Sequence, residues 1–176
     1  GEFMQMEDVY RIDQGIERYM TKTQKKTADF MEGCMELGGL LGGWSDSEIV
    51  ELKKYGHALG MAFQITDDIM DYRETTETTG KPVGNDLREG LLTYPLLSIV
   101  NDDNKDRLLA DIKALNNGGN EQDIIDYVIA QGGIDNTLAV ADKYCKDALA
   151  ALEAIRDFPG KEFLVMAVEN LADRKV

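Results

Sequence analysis

Histidine, tryptophan, cysteine and proline are scarce in this 176-residue chain, which has one, one, two and three of them. Two cysteines, Cys34 and Cys145, cannot build the disulfide framework of a small secreted domain, and they read as reduced thiols of a cytoplasmic protein. The lone histidine, His57, has no second histidine or cysteine placed to act with it and reads as structural; neither cysteine lies in a motif for Cys–His nucleophilic catalysis. Basic charge is also short, with 19 Lys and Arg against 33 Asp and Glu and a net charge of −14. Binding to nucleic acid or to an anionic membrane surface wants a basic footprint, so neither is expected. No apolar run approaches the ~20 residues of a membrane span, which argues against stable membrane insertion. The first residues, Gly1-Glu2-Phe3-Met4-Gln5-Met6-Glu7-Asp8, have neither the basic start nor the apolar stretch of a signal peptide. What is present is ordinary for a globular protein: 43% of the residues are apolar, enough for a sizeable core.

Sustained strand-like alternation is missing too, while helical spacing recurs throughout, so the fold is expected to be all-α. A first helix is expected over Met4–Met20 and a second over Thr21–Leu41, with Phe30, Cys34, Leu37 and Leu41 on one apolar face. Gly38, Gly39, Gly42 and Gly43 loosen its end. Ser45-Asp46-Ser47-Glu48 fits a capping box, opening a long helix to about Glu74 whose apolar face is Ile49, Leu52, Gly56, Leu59, Phe63 and Met70. Thr75–Asn85 is a polar loop. Helices follow at about Thr93–Val100, Lys105–Leu115, Glu121–Gln131, Ile134–Arg156 and Gly160–Ala172, with a break at Gly132-Gly133. Trp44 is expected to pack at a turn, and Met31, Met61 and Met70 to fill the core.

Chemistry concentrates in Asp67, Asp68 and Asp71, a DDxxD cluster in the middle of the long helix. Asp67 and Asp71 are four residues apart and share a face, which Asp68 adjoins. Such carboxylates repel one another and are poor helix formers. They read either as a solvated acidic patch or as an all-oxygen site for a hard cation such as Mg²⁺, which keeps waters and shares its shell with substrate phosphates. Arg18, Lys22, Lys25 and Lys26 fall within three helical turns, and the four-residue spacing of Arg18, Lys22 and Lys26 makes a cationic stripe, a solvated face or a phosphate clamp. Gly80-Lys81-Pro82-Val83-Gly84-Asn85-Asp86-Leu87 could bring backbone and the Lys81 charge close to a phosphate, but it lacks P-loop spacing.

The run Gly60-Met61-Ala62-Phe63-Gln64-Ile65-Thr66-Asp67-Asp68-Ile69-Met70-Asp71, followed by Gly80–Leu87, resembles the second aspartate-rich region of the trans-isoprenyl diphosphate synthases. That family's pattern is GxxFQxxDDxxD followed by GKxxGxDL. Lys26-Thr27-Ala28 is similar to its upstream Lys-Thr element, and Gly1-Glu2 with Gln5 to its GExxQ segment. The four motifs follow in order between Gly1 and Leu87, and the resemblance spans nearly the whole chain. Two features depart from the pattern. Gly90-Leu91-Leu92-Thr93-Tyr94-Pro95 carries Leu91 where the family usually has a lysine, and the first aspartate-rich motif, expected upstream, is absent.

The resemblance implies an isoprenoid-synthase-like helical bundle, with residues 1–176 as the C-terminal half of one such domain. It implies a Mg²⁺-dependent polyprenyl diphosphate synthase that condenses isopentenyl diphosphate with an allylic diphosphate. Asp67, Asp68 and Asp71 would hold the metal, and Lys26 and Lys81 the substrate diphosphate. Lys26, Thr27 and Gln64 would be catalytic, the Gln64 side chain and the Thr27 carbonyl or hydroxyl stabilising an allylic cation. Such a half is expected to be inactive alone and to dimerise or to associate with the missing N-terminal half. The alternatives are a non-catalytic subunit or dimerisation module of a prenyl synthase, and a terpene cyclase of the same fold.

Overall fold

The computed structural model describes residues 1–73 and 84–173, which contain helices and no strand. The helices are α1 (Glu2–Glu7), α2 (Gly15–Thr23), α3 (Asp29–Leu41), α4 (Asp46–Arg73), α5 (Asn85–Arg88), α6 (Tyr94–Leu97), α7 (Lys105–Ala114), α8 (Glu121–Ala130), α9 (Gly133–Glu153) and α10 (Lys161–Asp173). A π-helical turn, Gln24–Ala28, joins α2 to α3. None of the described helices is long and apolar enough to cross a membrane. The chain divides into two compact units: Gly1, Thr23–Thr66 and the residues from Ala139 onward in one, Glu2–Lys22 and Asp67–Leu138 in the other. Helix α4 is shared, its first 21 positions up to Thr66 in one unit and the remainder in the other.

In the first unit Leu52, Tyr55, Ala58 and Ala62 of α4 build a core with Cys145, Ala148, Ala151 and Leu152 of α9 and with Val168 and Leu171 of α10. Tyr55 is fully buried, and its hydroxyl donates to the Leu164 carbonyl at 2.9 Å. The expected capping box closes the start of α4: the Ser45 amide donates to Glu48 Oε2 (3.2 Å) and the Glu48 amide to Ser45 Oγ (3.4 Å). Trp44 packs edge-on against Phe158 at 4.8 Å. Glycine sets the crossing between α4 and the segment before it. A Cβ on Gly60 would lie 2.6 Å from Ala28 Cα, and one on Gly56 would lie 2.7 Å from the Met31 carbonyl oxygen. No side chain fits at either position, so the two backbones meet directly.

The second unit buries Leu87, Leu92, Leu96, Leu108, Ile112, Ile125 and Val128, together with Tyr19 and Ile69. Here the chain departs from the expected Met4–Met20 helix. Helix α1 stops at Glu7, a 3₁₀ turn covers Ile12–Gln14, and α2 begins only at Gly15. Tyr10 takes a positive φ of 57° and Gly15 one of 72°. The Tyr10 amide donates to the Gly90 carbonyl at 2.8 Å, a tertiary bond between residues 80 apart in the sequence that no local pattern announces. The expected boundary at Met20–Thr21 is absent, since α2 runs through it to Thr23. Asn85, assigned to the loop, opens α5 instead. The face expected for the second helix is also corrected: Phe30 (73%), Leu37 (56%) and Leu41 (81%) are exposed rather than buried. Ile49, Leu52, Gly56 and Met61 of α4 are buried as expected, whereas Phe63 is exposed.

The two kinds of glycine make opposite predictions. Gly60→Val should cost about 1–3 kcal/mol of stability by overpacking the crossing. Gly33→Ala, where an added Cβ meets nothing within 4 Å, should gain about 0.5–1 kcal/mol. Denaturant midpoints of the two variants check both; equal shifts would mean that the crossing is not tightly packed.

Candidate active site

Lys26 and Thr27 sit in the π turn, a widened helical turn that recurs at functional sites. The Asp29 amide donates five residues back, to the Gln24 carbonyl. Ala28 is pressed against Gly60, which fixes the register one turn before Gln64 on α4. Thr27 therefore reaches α4, and its hydroxyl donates to Gln64 Oε1 at 3.1 Å. Lys26 is exposed at this turn. Gly1 abuts its backbone so closely that a Cβ there would lie 2.3 Å from Lys26 Cα, which suits the glycine of the first motif.

The cationic stripe does not form as the spacing suggested. Arg18 is committed to Asp8 (2.7 Å) and Glu7 (3.0 Å). Lys22 is buried, with its ammonium donating to Gln14 Oε1 at 3.3 Å. The π turn then shifts the helical register before Lys26, so four-residue spacing no longer places Lys22 and Lys26 in one α-helical row. Lys25 and Lys26 keep exposed side chains.

The three aspartates of α4 differ sharply. Asp67 is exposed. Asp68 is buried, its Oδ2 accepting from the Tyr19 hydroxyl and from the Tyr94 amide at 3.4 Å. Asp71 accepts from the amides of Asn85 (3.1 Å) and Asp86 (3.2 Å), while its carbonyl takes the Gly84 amide at 3.0 Å. It thus satisfies the otherwise open amides at the start of α5 from a different helix. Gly84, with φ of 73°, makes the turn into α5. Lys81 lies outside the described residues. The Leu91 amide donates to the Asp86 carbonyl at 2.8 Å, so this position contributes backbone bonding where the family pattern has a lysine.

Asp86 joins this cluster, and its acidic position in the GKxxGxDL element is the sequence signal for it. Burial, and then the nearby charges of Asp71, Asp68, Asp67 and Glu89, push its carboxyl up to about 7. Burial also raises Asp71, while its two amide hydrogen bonds oppose the shift and Asp67 and Glu89 add to it. These are carboxylates raised by desolvation and mutual repulsion, the condition a bound cation relieves. An all-oxygen donor set of this kind fits a hard divalent ion. A second DDxxD string, Asp102-Asp103-Asn104-Lys105-Asp106, has no such surroundings. Asp102 pairs with Lys105 at 2.8 Å, and the Asn101 side chain accepts the Asp103 and Asn104 amides, so the string is a surface turn opening α7.

An all-α chain with a clustered aspartate motif on its longest helix defines the class: a helical fold of the isoprenoid-synthase type. Residues 1–131 match the polyprenyl synthetase family, and the chain belongs to it. It is 33% identical over 155 residues to heptaprenyl diphosphate synthase component 2 of Geobacillus stearothermophilus, covering 88% of this chain and 48% of that protein. It is 33% identical over 168 residues to octaprenyl diphosphate synthase of Escherichia coli (strain K12), covering 94% and 52%. Among solved structures, heptaprenyl diphosphate synthase from Staphylococcus aureus superposes with a TM-score of 0.86 at 28% identity, over 99% of this chain and 55% of that one. Polyprenyl synthase from Caulobacter crescentus CB15, complexed with calcium and isoprenyl diphosphate, gives a TM-score of 0.85 at 29% identity, over 99% and 55%. The chain spans about half the length of the curated relatives it matches.

The Asp86 shift has a defined sign. Its folded-state value of about 7 exceeds the ordinary 3.8, so ionising it opposes folding. Without divalent ions, the stability difference between Asp86→Asn and the parent should be smallest below the ordinary carboxylate range. It should grow in favour of the variant as pH rises through about 7. Thermal melts in chelator across that range check it; a pH-independent difference would mean that Asp86 titrates normally.

Proposed function

We propose that these residues supply the second-aspartate-motif side of a trans-polyprenyl diphosphate synthase, condensing isopentenyl diphosphate with an allylic diphosphate. The observation that carries this reading is the carboxylate cluster of Asp67, Asp71 and Asp86 in a chain of the polyprenyl synthetase family. Asp67 and Asp71 would hold Mg²⁺, with Asp68, held inward by Tyr19 and Tyr94, supporting them. Bound there, the ion supplies charge neutralisation and Lewis acidity toward a diphosphate leaving group. Lys26 and Lys81 add charge-assisted contacts to the same diphosphate. As its C–O bond breaks, the diphosphate departs with the electron pair and leaves an allylic cation. The Thr27–Gln64 pair supports a preorganised oxygen dipole for that cation. The double bond of isopentenyl diphosphate then attacks, and transfer of a proton to the released diphosphate creates the new double bond. Water must be kept out, because it would quench the cation.

The family's first aspartate motif lies outside these 176 residues, and the relatives are about twice as long. Activity is therefore proposed for an assembly in which a second component or further chain supplies the first motif, and this chain is expected to dimerise or to associate with that half. Exposed Phe30, Leu37 and Leu41 on α3 support association, since large apolar patches are rare on monomers. Cys34, exposed, and Cys145, buried, form no disulfide, which supports a reducing, cytoplasmic setting.

Asp67→Ala should abolish Mg²⁺-dependent pyrophosphate binding while helix content stays unchanged, and Lys26→Ala should weaken that binding about tenfold, removing a charge-assisted contact of ~1.5 kcal/mol or more. Calorimetric titration checks both, and unchanged affinities would refute the assignment. The 176-residue chain alone should show no prenyl transfer and should not be monomeric; addition of the half bearing the first motif should restore it. Labelled isopentenyl diphosphate incorporation beside light scattering is the assay, and robust turnover by a monomer would overturn the proposal.

A further inference from the structure

We propose that Asp29, Glu32 and His57 form a binding site for a divalent cation of the zinc class, using none of the residues of the aspartate motif. Asp29 and Glu32 are three apart in the first turn of α3 and share a face. Gly56 lets the α3 backbone come against α4, its missing Cβ lying 2.7 Å from the Met31 carbonyl and 2.9 Å from Glu32 Cα. The next residue, His57, is thereby carried to the acidic pair. One ligand atom from each of the three residues lies within 4.8 Å of the others.

The Glu32–His57 distance favours shared coordination over a simple hydrogen bond. His57 Nδ1 is 3.5 Å from Glu32 Oε2, beyond the 2.7–3.2 Å of a good hydrogen bond. Two ligands at about 2.0–2.1 Å from a tetrahedral ion stand roughly 3.4 Å apart. Glu32 divides its two oxygens: Oε1 lies 3.6 Å from Lys53, whose nearer partner is Glu36 at 2.9 Å, so Oε2 remains directed to the imidazole. The Gln24 side-chain Nε2 donates to Asp29 Oδ1 at 3.1 Å, an outer hydrogen bond of the kind that orients ligating carboxylates. Glu32, Lys53, His57, Tyr144 and Asp147 also border an open cavity of about 700 Å³, which gives water and ions access to the remaining coordination positions.

Ligand chemistry selects the cation. One imidazole with two carboxylates suits Zn²⁺, Co²⁺ or Ni²⁺, whereas Mg²⁺ prefers an oxygen shell that retains its waters. Such an ion would tie α3 to α4 and stabilise the folded chain by mass action. This proposal does not depend on the prenyl-transfer reading.

The single histidine makes the test direct, because His57 alone gives an imidazole C2–H proton resonance. Zn²⁺ added to the 176-residue protein in millimolar Mg²⁺ should shift or broaden that resonance saturably and raise Tm. Co²⁺ should produce a visible d–d absorption band. Glu32→Gln, nearly isosteric, and His57→Gln should each lose the Tm rise and the band. Asp67→Asn with Asp71→Asn should retain both. An unmoved His57 resonance, wild-type Zn²⁺ response in Glu32→Gln, or loss of the response in the Asp67/Asp71 variant would each overturn the proposal.

Discussion

The direct backbone contact at Gly56 and Gly60 is the constraint from which the rest of the first unit follows. A helix crossing normally stands off by the width of its side chains, 8–10 Å between axes. Removing the Cβ twice on one stripe of α4 brings Ala28 and Met31 onto the helix itself. Everything that reaches across is then short. Thr27 needs only a hydroxyl to find Gln64, and His57 needs only an imidazole to find Glu32. The hydrophobic core of Leu52, Tyr55, Ala58 and Ala62 occupies other positions of the same helix, so α4 is held by burial on one side and by close contact on another.

The second unit solves a different problem, that of placing acidic side chains where they repel. Its three motif aspartates divide the labour. Asp68 is taken inward and satisfied by a phenol and an amide; Asp71 spends both oxygens on the first amides of α5; Asp67 stays at the surface. Asp86 completes the group from the far side of that cap and carries the clearest electrostatic cost. A motif written as three equivalent letters is therefore three environments, two of them set by neighbours distant in sequence and one by solvent. The contrast with Asp102, Asp103 and Asp106 makes the same point, because the same letters there form only a turn with a local lysine.

Legibility followed the range of the interaction responsible. The Ser45–Glu48 cap, the long α4 and the break at Gly132 rest on local chemistry and were readable; that Trp44 packs was readable too, but not its distant partner Phe158. The end of α1 was not, since it depends on Tyr10 meeting Gly90. Phe30, Leu37 and Leu41 have the spacing of a core face, and periodicity reports that a face is apolar without reporting what covers it. Glu32 and His57 are 25 residues apart on different helices; only the Gly56 crossing relates them. Lysine spacing misled for a subtler reason, because it assumed an unbroken α-helical register from Arg18 to Lys26.

That break in register is a single surplus residue. An α-helix turns about 100° per residue, so one residue accommodated in the π turn rotates all later side chains by that amount relative to the earlier ones. Through this offset one continuous stretch serves two sets of neighbours, presenting Lys22 to Gln14 before the turn and Thr27 to Gln64 after it. Chain length between Thr23 and Asp29 is thus as specific as any side chain in it. A one-residue deletion there would leave hydrophobicity, charge and helix propensity almost untouched, yet aim the whole Lys-Thr segment at the wrong face of its partner helix.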